Sequence, residues 1–159
     1  ADYARRIVDA GKYPPLGHRG FNTRTRGMEF GMVDLQDNLA RANNRTHLFA
    51  QIETTTAVAN VDDILQVDGL SGIFMGPGDL AVSMGKAGQM ADPELREIVL
   101  SCMAKAKEAG KLTGIFTLPG PLLSAAINVG CDLVVCGGDI MDLSSTWTKL
   151  LGEIPAELS

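Results

Sequence analysis

Apolar positions along the chain fall into short continuous runs separated by longer stretches with helical spacing. Asp2 to Val8 is rich in helix formers, and Ala1 to Ala10 reads as the end of an amphipathic helix, closed by Gly11 and by Tyr13-Pro14-Pro15. Asp34 to Asn44 predicts a second helix, and Thr46 to Ile52, bounded by Asn43-Asn44-Arg45, predicts a strand. Val58, Val61, Ile64, Leu65 and Val67 lie near helical spacing, so Thr56 to Val67 is expected to form one helix before a second strand over Gly69 to Gly76. The most specific start signal is Asp92-Pro93-Glu94, with Asp92 as N-cap and Pro93 at the first helical position of a helix that runs to Ala109 and stops at Gly110. Leu112 to Thr117 predicts a third strand, Pro121 to Asn128 a short helix, Asp132 to Gly137 a fourth strand and Asp139 to Leu151 a closing helix.

Strands that are apolar throughout, alternating with helices, mark an α/β fold with a parallel sheet covered by helices. Four such units make half of an eight-stranded (β/α) barrel, whose usual length is about 250 residues, or a small open doubly wound sheet. Length alone favours the open sheet, and the strand-end motifs favour the barrel. The first residue already lies within a helix and no initiating Met is present, so the chain is expected to begin partway through its fold.

Composition narrows the picture. The chain has 159 residues, 45% of them hydrophobic, enough for one domain with a real core. A net charge of −5 and a pI near 4.9 oppose nucleic acid as the main partner. No apolar run approaches the roughly 18 to 20 residues of a membrane span, and Ala1 to Arg6 lacks the apolar stretch of a signal peptide. Cys102, Cys131 and Cys136 cannot all pair within one chain, so a reducing, cytoplasmic setting is expected, and no CxxC pair or Cys/His cluster indicates zinc.

In parallel α/β folds the carboxyl ends of the strands carry the site. Those ends read Gln51-Ile52-Glu53-Thr54, Gly76-Pro77-Gly78-Asp79-Leu80, Thr117-Leu118-Pro119-Gly120 and Gly137-Gly138-Asp139. Glu53 and Asp79 are 26 residues apart, one βαβ repeat, and adjacent parallel strands lie about 4.8 Å apart. Two carboxylates so placed can share one hard dication, with oxygen ligands at about 2.1 Å for Mg²⁺ and water or substrate in the remaining positions. The competing reading is helix capping, with Glu53 in a first turn and Asp79 beside a helix that begins at Leu80. Spacing alone ranks capping first. The metal reading rests on both residues occupying equivalent strand ends, where unpaired like charges would repel.

Gly76-Pro77-Gly78-Asp79 lets the backbone approach a ligand, and amides at a following helix start favour an anion such as a carboxylate. Neither the GxGxxG nor the GxxxxGK[ST] pattern occurs, so NAD and ATP have no support. Gln51 shares a strand face with Glu53 and can donate its amide to a ligand oxygen or to an ordinary structural bond. His47 stands at a strand start, away from the expected site, where a structural role is expected. His18 lies in the Gly-rich basic segment Leu16 to Met32, which suits either a loop near an anionic ligand or a solvated loop, and is a weak candidate general base. Cys136 reads as core rather than nucleophile, and Met75 and Met84 as filler.

Taken in order, Tyr13-Pro14-Pro15-Leu16-Gly17 with Arg19-Gly20, Gln51-Ile52-Glu53-Thr54, Asp68-Gly69, Gly72 to Leu80, Met84-Gly85, and Gly130 to Val135 with Gly137 resemble the HpcH/HpaI aldolase family. The resemblance covers nearly the whole chain, in the family's order and approximate spacing. It implies a class II, metal-dependent pyruvate aldolase on a TIM barrel, related to 4-hydroxy-2-oxoheptanedioate and 2-dehydro-3-deoxyglucarate aldolases. Residues 1–159 would form a partial barrel domain, about the C-terminal half. Glu53 and Asp79 match the family's metal ligands, for Mg²⁺ or Mn²⁺ with Co²⁺ as a further candidate. Gln51 matches a substrate-binding glutamine, and Gly78 with Asp79 the turn whose amides hold a pyruvate carboxylate.

The implied chemistry is cleavage or formation of 4-hydroxy-2-oxo acids. A cation would chelate a 2-oxo acid through its carboxylate and keto oxygen and stabilise the enolate that adds to an aldehyde. Gly78 stands where relatives often carry Ala. The family's catalytic histidine and the arginine that polarises the keto group belong to earlier strands, and neither His18 nor Arg19 matches them, so no catalytic base is assigned. The alternatives are a 2-oxo acid decarboxylase similar to macrophomate synthase, and a truncated noncatalytic binding or assembly module. Leu118 and Pro119 are candidates for an apolar wall near the aldehyde, with an ordinary turn as the alternative. Family members associate as multimers, so a homo-oligomer is expected. A half barrel with two unpaired edges is expected to aggregate, dimerise or need its other half.

Overall fold

The computed structural model describes residues 1–154. Helices α1 (Asp2–Gly11) and α2 (Leu35–Arg45) precede strand β1 (Phe49–Ile52), and the short helices α3 (Thr55–Ala59) and α4 (Val61–Leu65) lead to β2 (Gly72–Met75). Helices α5 (Pro77–Ser83) and α6 (Pro93–Glu108), strand β3 (Leu112–Phe116), helix α7 (Pro121–Asn128), strand β4 (Leu133–Val135) and helix α8 (Asp139–Gly152) complete the order. The four strands form one parallel sheet in sequential order, β1-β2-β3-β4. In its register Ile52 pairs with Met75 and Met75 with Ile115, so the turns after β1 and β2 emerge side by side.

The strands are apolar because one face is sealed by helices. Ile52, Ile73, Met75 and Ile115 are fully buried with Leu80, Leu95, Val99 and Met103 in a single core. Helix α6 supplies Leu95, Val99, Cys102, Met103 and Ala106, one stripe at helical spacing. Its start follows the sequence signal: Pro93 opens the helix, and Asp92 Oδ1 accepts the Leu95 N–H at 3.0 Å. On the opposite face, Gln51, Phe74 and Gly114 are register partners. A Cβ at Gly114 would lie 2.5 Å from the Phe74 ring, so glycine there leaves room for the aromatic side chain.

The expected single helix over Thr56 to Val67 is instead two. At Asn60 the backbone leaves helical geometry (φ −105°, ψ 11°), and the Asn60 amide donates to the Thr56 carbonyl at 2.7 Å, competing with the helix ladder. The amino end of the sheet is locked by α1. Lys12 Nζ donates to the carbonyls of Asn43 and Thr46, the Asn43 side chain bonds both the N–H and the carbonyl of Tyr13, and Gly69 (φ +78°) lets Val8 pack where a Cβ would meet it at 2.7 Å.

The far side of the sheet is open. Every residue of β4 is exposed, and α8 buries none of its residues, leaving Ile140, Leu143, Trp147 and Leu151 in solvent. Cys136, expected in the core, is therefore exposed: it follows an edge strand that no helix covers. Cys102 is buried and Cys131 half-buried. No helix among the described residues is long and apolar enough to cross a membrane.

Candidate active site

Alternation along β1 buries Ala50 and Ile52 in the core and turns Gln51 and Glu53 to the other face. The Gly76 N–H donates to the Ile52 carbonyl at 3.0 Å, which brings the end of β2 against the start of the turn after β1. Gln51 and Glu53 converge there. A Cβ on Gly76 would lie 3.1 Å from Gln51 Nε2, 3.1 Å from Glu53 Cβ and 3.5 Å from Glu53 Oε2. Glycine at 76 thus makes room for both side chains.

Neither carboxylate makes a side-chain capping bond, although Asp79 stands in the first turn of α5, where a negative charge favours the helix dipole. Thr54 caps α3, its Oγ1 accepting the Ala57 N–H at 3.0 Å, so half-buried Glu53 has no capping role. Helix α5 starts at Pro77 rather than Leu80, with Gly76 at the N-cap position and no side-chain cap. Asp79 is exposed in its first turn. Among the described residues, no cation lies within 4.0 Å of either carboxylate, since Glu53 and Asp79 take part in none of the ion pairs.

The α5 start also presents free donors. Pro77 has no N–H, Leu80 N–H is bonded to the Gly76 carbonyl at 3.0 Å, and the Gly78 and Asp79 N–H groups are left without helical acceptors. Gly78 is exposed, and a Cβ there would meet nothing within 4 Å. At the other end of α5, Ser83 Oγ accepts the Thr55 N–H at 3.0 Å, and the Thr55 and Ser83 hydroxyls are 3.4 Å apart. Asp79 and Ser83 are four residues apart on one helix face, so that face is turned toward the turn carrying Glu53.

The histidines lie elsewhere. His18 Nδ1 is 2.5 Å from Asp9 Oδ1, and this hydrogen bond holds the imidazole pKa above its ordinary value. Its backbone is tied to the same residue, beside Val8 and Gly69 at the amino end of the sheet, so His18 is remote from Glu53. His47 is exposed two residues before β1, at that same end. The basic loop also folds there: Arg19, Arg26 and Arg45 line a cavity of about 810 Å³, with the Arg19 guanidinium 4.8 Å from the Tyr13 ring centre. Leu118 and Pro119 follow β3 on the same rim as Glu53, and Leu118 is exposed.

Sequence reasoning missed Thr54 and Ser83. Thr54 carried a readable signal, a threonine directly before a helical segment. Ser83 carried none, because its partner is 28 residues away on another element.

A model of the HpcH/HpaI aldolase/citrate lyase family matches residues 1–141. The chain belongs to this family. Over 142 residues it is 35% identical to a 2-keto-3-deoxy-L-rhamnonate aldolase of Salmonella paratyphi B, a match covering 89% of this chain and 52% of that protein. The chain thus spans about half the length of the curated relatives it matches. Among solved structures, an HpcH/HpaI aldolase from Desulfitobacterium hafniense DCB-2 superposes with a TM-score of 0.86 at 29% identity, over 98% of this chain and 61% of that one. An HpcH/HpaI aldolase/citrate lyase family protein from Burkholderia cenocepacia J2315 gives 0.80 at 30% identity, over 96% and 60%. The barrel, not the open doubly wound sheet, is therefore the fold of this HpcH/HpaI chain, whose four strands and helices match part of each barrel.

Proposed function

We propose that this chain carries the metal- and 2-oxo acid-binding part of an HpcH/HpaI carbon–carbon lyase that makes or breaks 4-hydroxy-2-oxo acids. The observation that carries the reading is the pair Glu53 and Asp79, at the carboxyl ends of two hydrogen-bonded strands, neither neutralised by a cation among the described residues. Among those residues no three His, Cys, Asp or Glu side chains gather. A donor set of two carboxylates fits Mg²⁺ or Mn²⁺, hard ions held by one or two carboxylates with water and substrate completing the shell. When bound, such an ion supplies positive charge against the negative charge that develops on a keto oxygen during carbon–carbon cleavage.

The chain's own residues do the rest. Glu53 and Asp79 hold the ion, the free Gly78 and Asp79 N–H groups receive the substrate carboxylate, and the Gln51 amide orients a substrate oxygen. The HpcH/HpaI relatives named 2-keto-3-deoxy-L-rhamnonate aldolase act on a 2-keto-3-deoxy sugar acid, which is a 4-hydroxy-2-oxo acid, and that class is the proposed substrate. Proton transfer at carbon needs a base; His18 and His47 lie at the amino end of the sheet, and the resemblance to the family implies a histidine from earlier strands in that role.

Titration with Mn²⁺, with and without pyruvate, tests the reading. The wild-type chain should bind one ion, more tightly with pyruvate present, and Glu53→Gln should lose at least about tenfold in affinity, since removing one of two charged ligands costs more than an ordinary hydrogen bond. Equal affinity in wild type and Glu53→Gln sinks it.

A further inference from the structure

Two turns must meet for the carboxylate pair to work, and the strand ladder alone does not fix how. It ends at the bond from Gly76 N–H to the Ile52 carbonyl. Beyond that point the chain from β1 enters α3 and the chain from β2 enters α5, and Asp79 sits in the first turn of α5. The side-chain bond between these two helices is made by Ser83 and Thr55.

Thr55 is the first residue of α3, and its N–H is one of the donors that a helix start cannot satisfy internally. Thr54 serves the Ala57 N–H within α3, while the Thr55 N–H is served from outside by Ser83 Oγ at 3.0 Å. Ser83 thus acts as a cap for a helix to which it does not belong. It lies one turn below Asp79 on the same face of α5, and Thr55 is two residues after Glu53. The bond therefore joins the two carboxylate-bearing segments about one helical turn from the carboxylates themselves.

We propose that Ser83 is a positioning residue: its hydroxyl, through the Thr55 N–H, sets the approach of Asp79 to Glu53 and so the grip of the pair on a divalent cation. The inference rests on the proposed metal reading and adds to it the residue that holds the geometry. Ser83 touches neither substrate nor ion, and its effect passes through the α3 start. Because the bond is at the surface, Ser83 adds little to overall stability, and its loss is felt mainly where the spacing of two charges matters.

The experiment compares wild type with Ser83→Ala, Ser83→Thr and Glu53→Gln by Mn²⁺ titration calorimetry, alongside thermal unfolding of the same samples without metal. Ser83→Ala should weaken Mn²⁺ binding about three- to tenfold, the loss expected for one hydrogen bond, with an unchanged melting temperature. Ser83→Thr, which keeps the hydroxyl, should bind as wild type does. Normal affinity in Ser83→Ala, with Glu53→Gln impaired, overturns the role of Ser83 and leaves the metal reading standing. A loss in Ser83→Ala that is matched by a drop in melting temperature, and not restored in Ser83→Thr, also overturns it. Failure of wild type to bind Mn²⁺, or full affinity in Glu53→Gln, removes the carboxylate pair and the inference with it.

Discussion

A methyl group added at position 76 would press on Gln51 and Glu53 at 3.1 Å, whereas one added at position 78 would meet open space. Gly76→Ala is therefore expected to displace the Glu53 carboxylate and weaken Mn²⁺ binding about tenfold, the scale of one lost charged hydrogen bond. Gly78→Ala should leave that affinity intact and be neutral or stabilising by up to about 1 kcal/mol, because Ala restricts the unfolded chain and fits this helical backbone. Parallel metal titrations and thermal melts of the two variants check both statements. The presence of Glu53 and Asp79 at strand ends was legible in the sequence, since the apolar runs mark where each strand stops. That Thr54 rather than Glu53 caps α3 was not. Glu53 and Thr54 are adjacent, both suit a helix start, and only the bond from the Ala57 N–H to Thr54 Oγ1 decides between them.

Asp132 joins three elements. Its carboxylate accepts the Thr113 N–H of β3 at 2.8 Å and bonds of 3.0 Å from Lys107 Nζ of α6, just before β4 begins. The Thr113 N–H, followed by Lys107, holds its pKa below the usual carboxylate value. A lowered folded-state pKa stabilises the fold above the unfolded pKa of about 3.9, and this contribution disappears as pH falls through the folded value. Asp132→Asn should melt below wild type near neutral pH, and the gap should close progressively in acid below about pH 4. Thermal melts across that range check it, and a gap independent of pH would contradict it. Element identity itself was largely readable: the Asp92-Pro93 start and the Gly110 stop bracket α6 as the sequence indicates. The break at Asn60 was hidden because apolar spacing continues across it, and the competing bond from its side chain to the Thr56 carbonyl carries no periodic signature.

For residues 1–159 taken by themselves, the open side of the sheet is expected to set solution behaviour. The edge strand β4 and the apolar residues of α8 form a surface that a covered sheet would bury. Sedimentation of the chain should reveal species heavier than the 16.9 kDa monomer, growing with concentration. Replacing exposed Trp147 and Leu150 with lysine should shift the distribution toward monomer without lowering the melting temperature, because neither side chain contributes to the core. A single monomeric species of the unaltered chain at every concentration would refute this.

The amino-acid sequence by itself determined the four strands, the main helices between them, the parallel sheet and, through its ordered motifs, the resemblance to the family, because those signals act over a few residues. It did not show that α3 and α4 are separate or that α5 starts at Pro77. The tertiary structure alone decided which end of the sheet each candidate occupies. It set His18 and the arginine-lined cavity opposite the Glu53 turn, left Cys136 in solvent and joined Ser83 to Thr55. Such pairings depend on strand register and on how helices seat against a common core, so they emerge only when residues far apart in the chain are brought together.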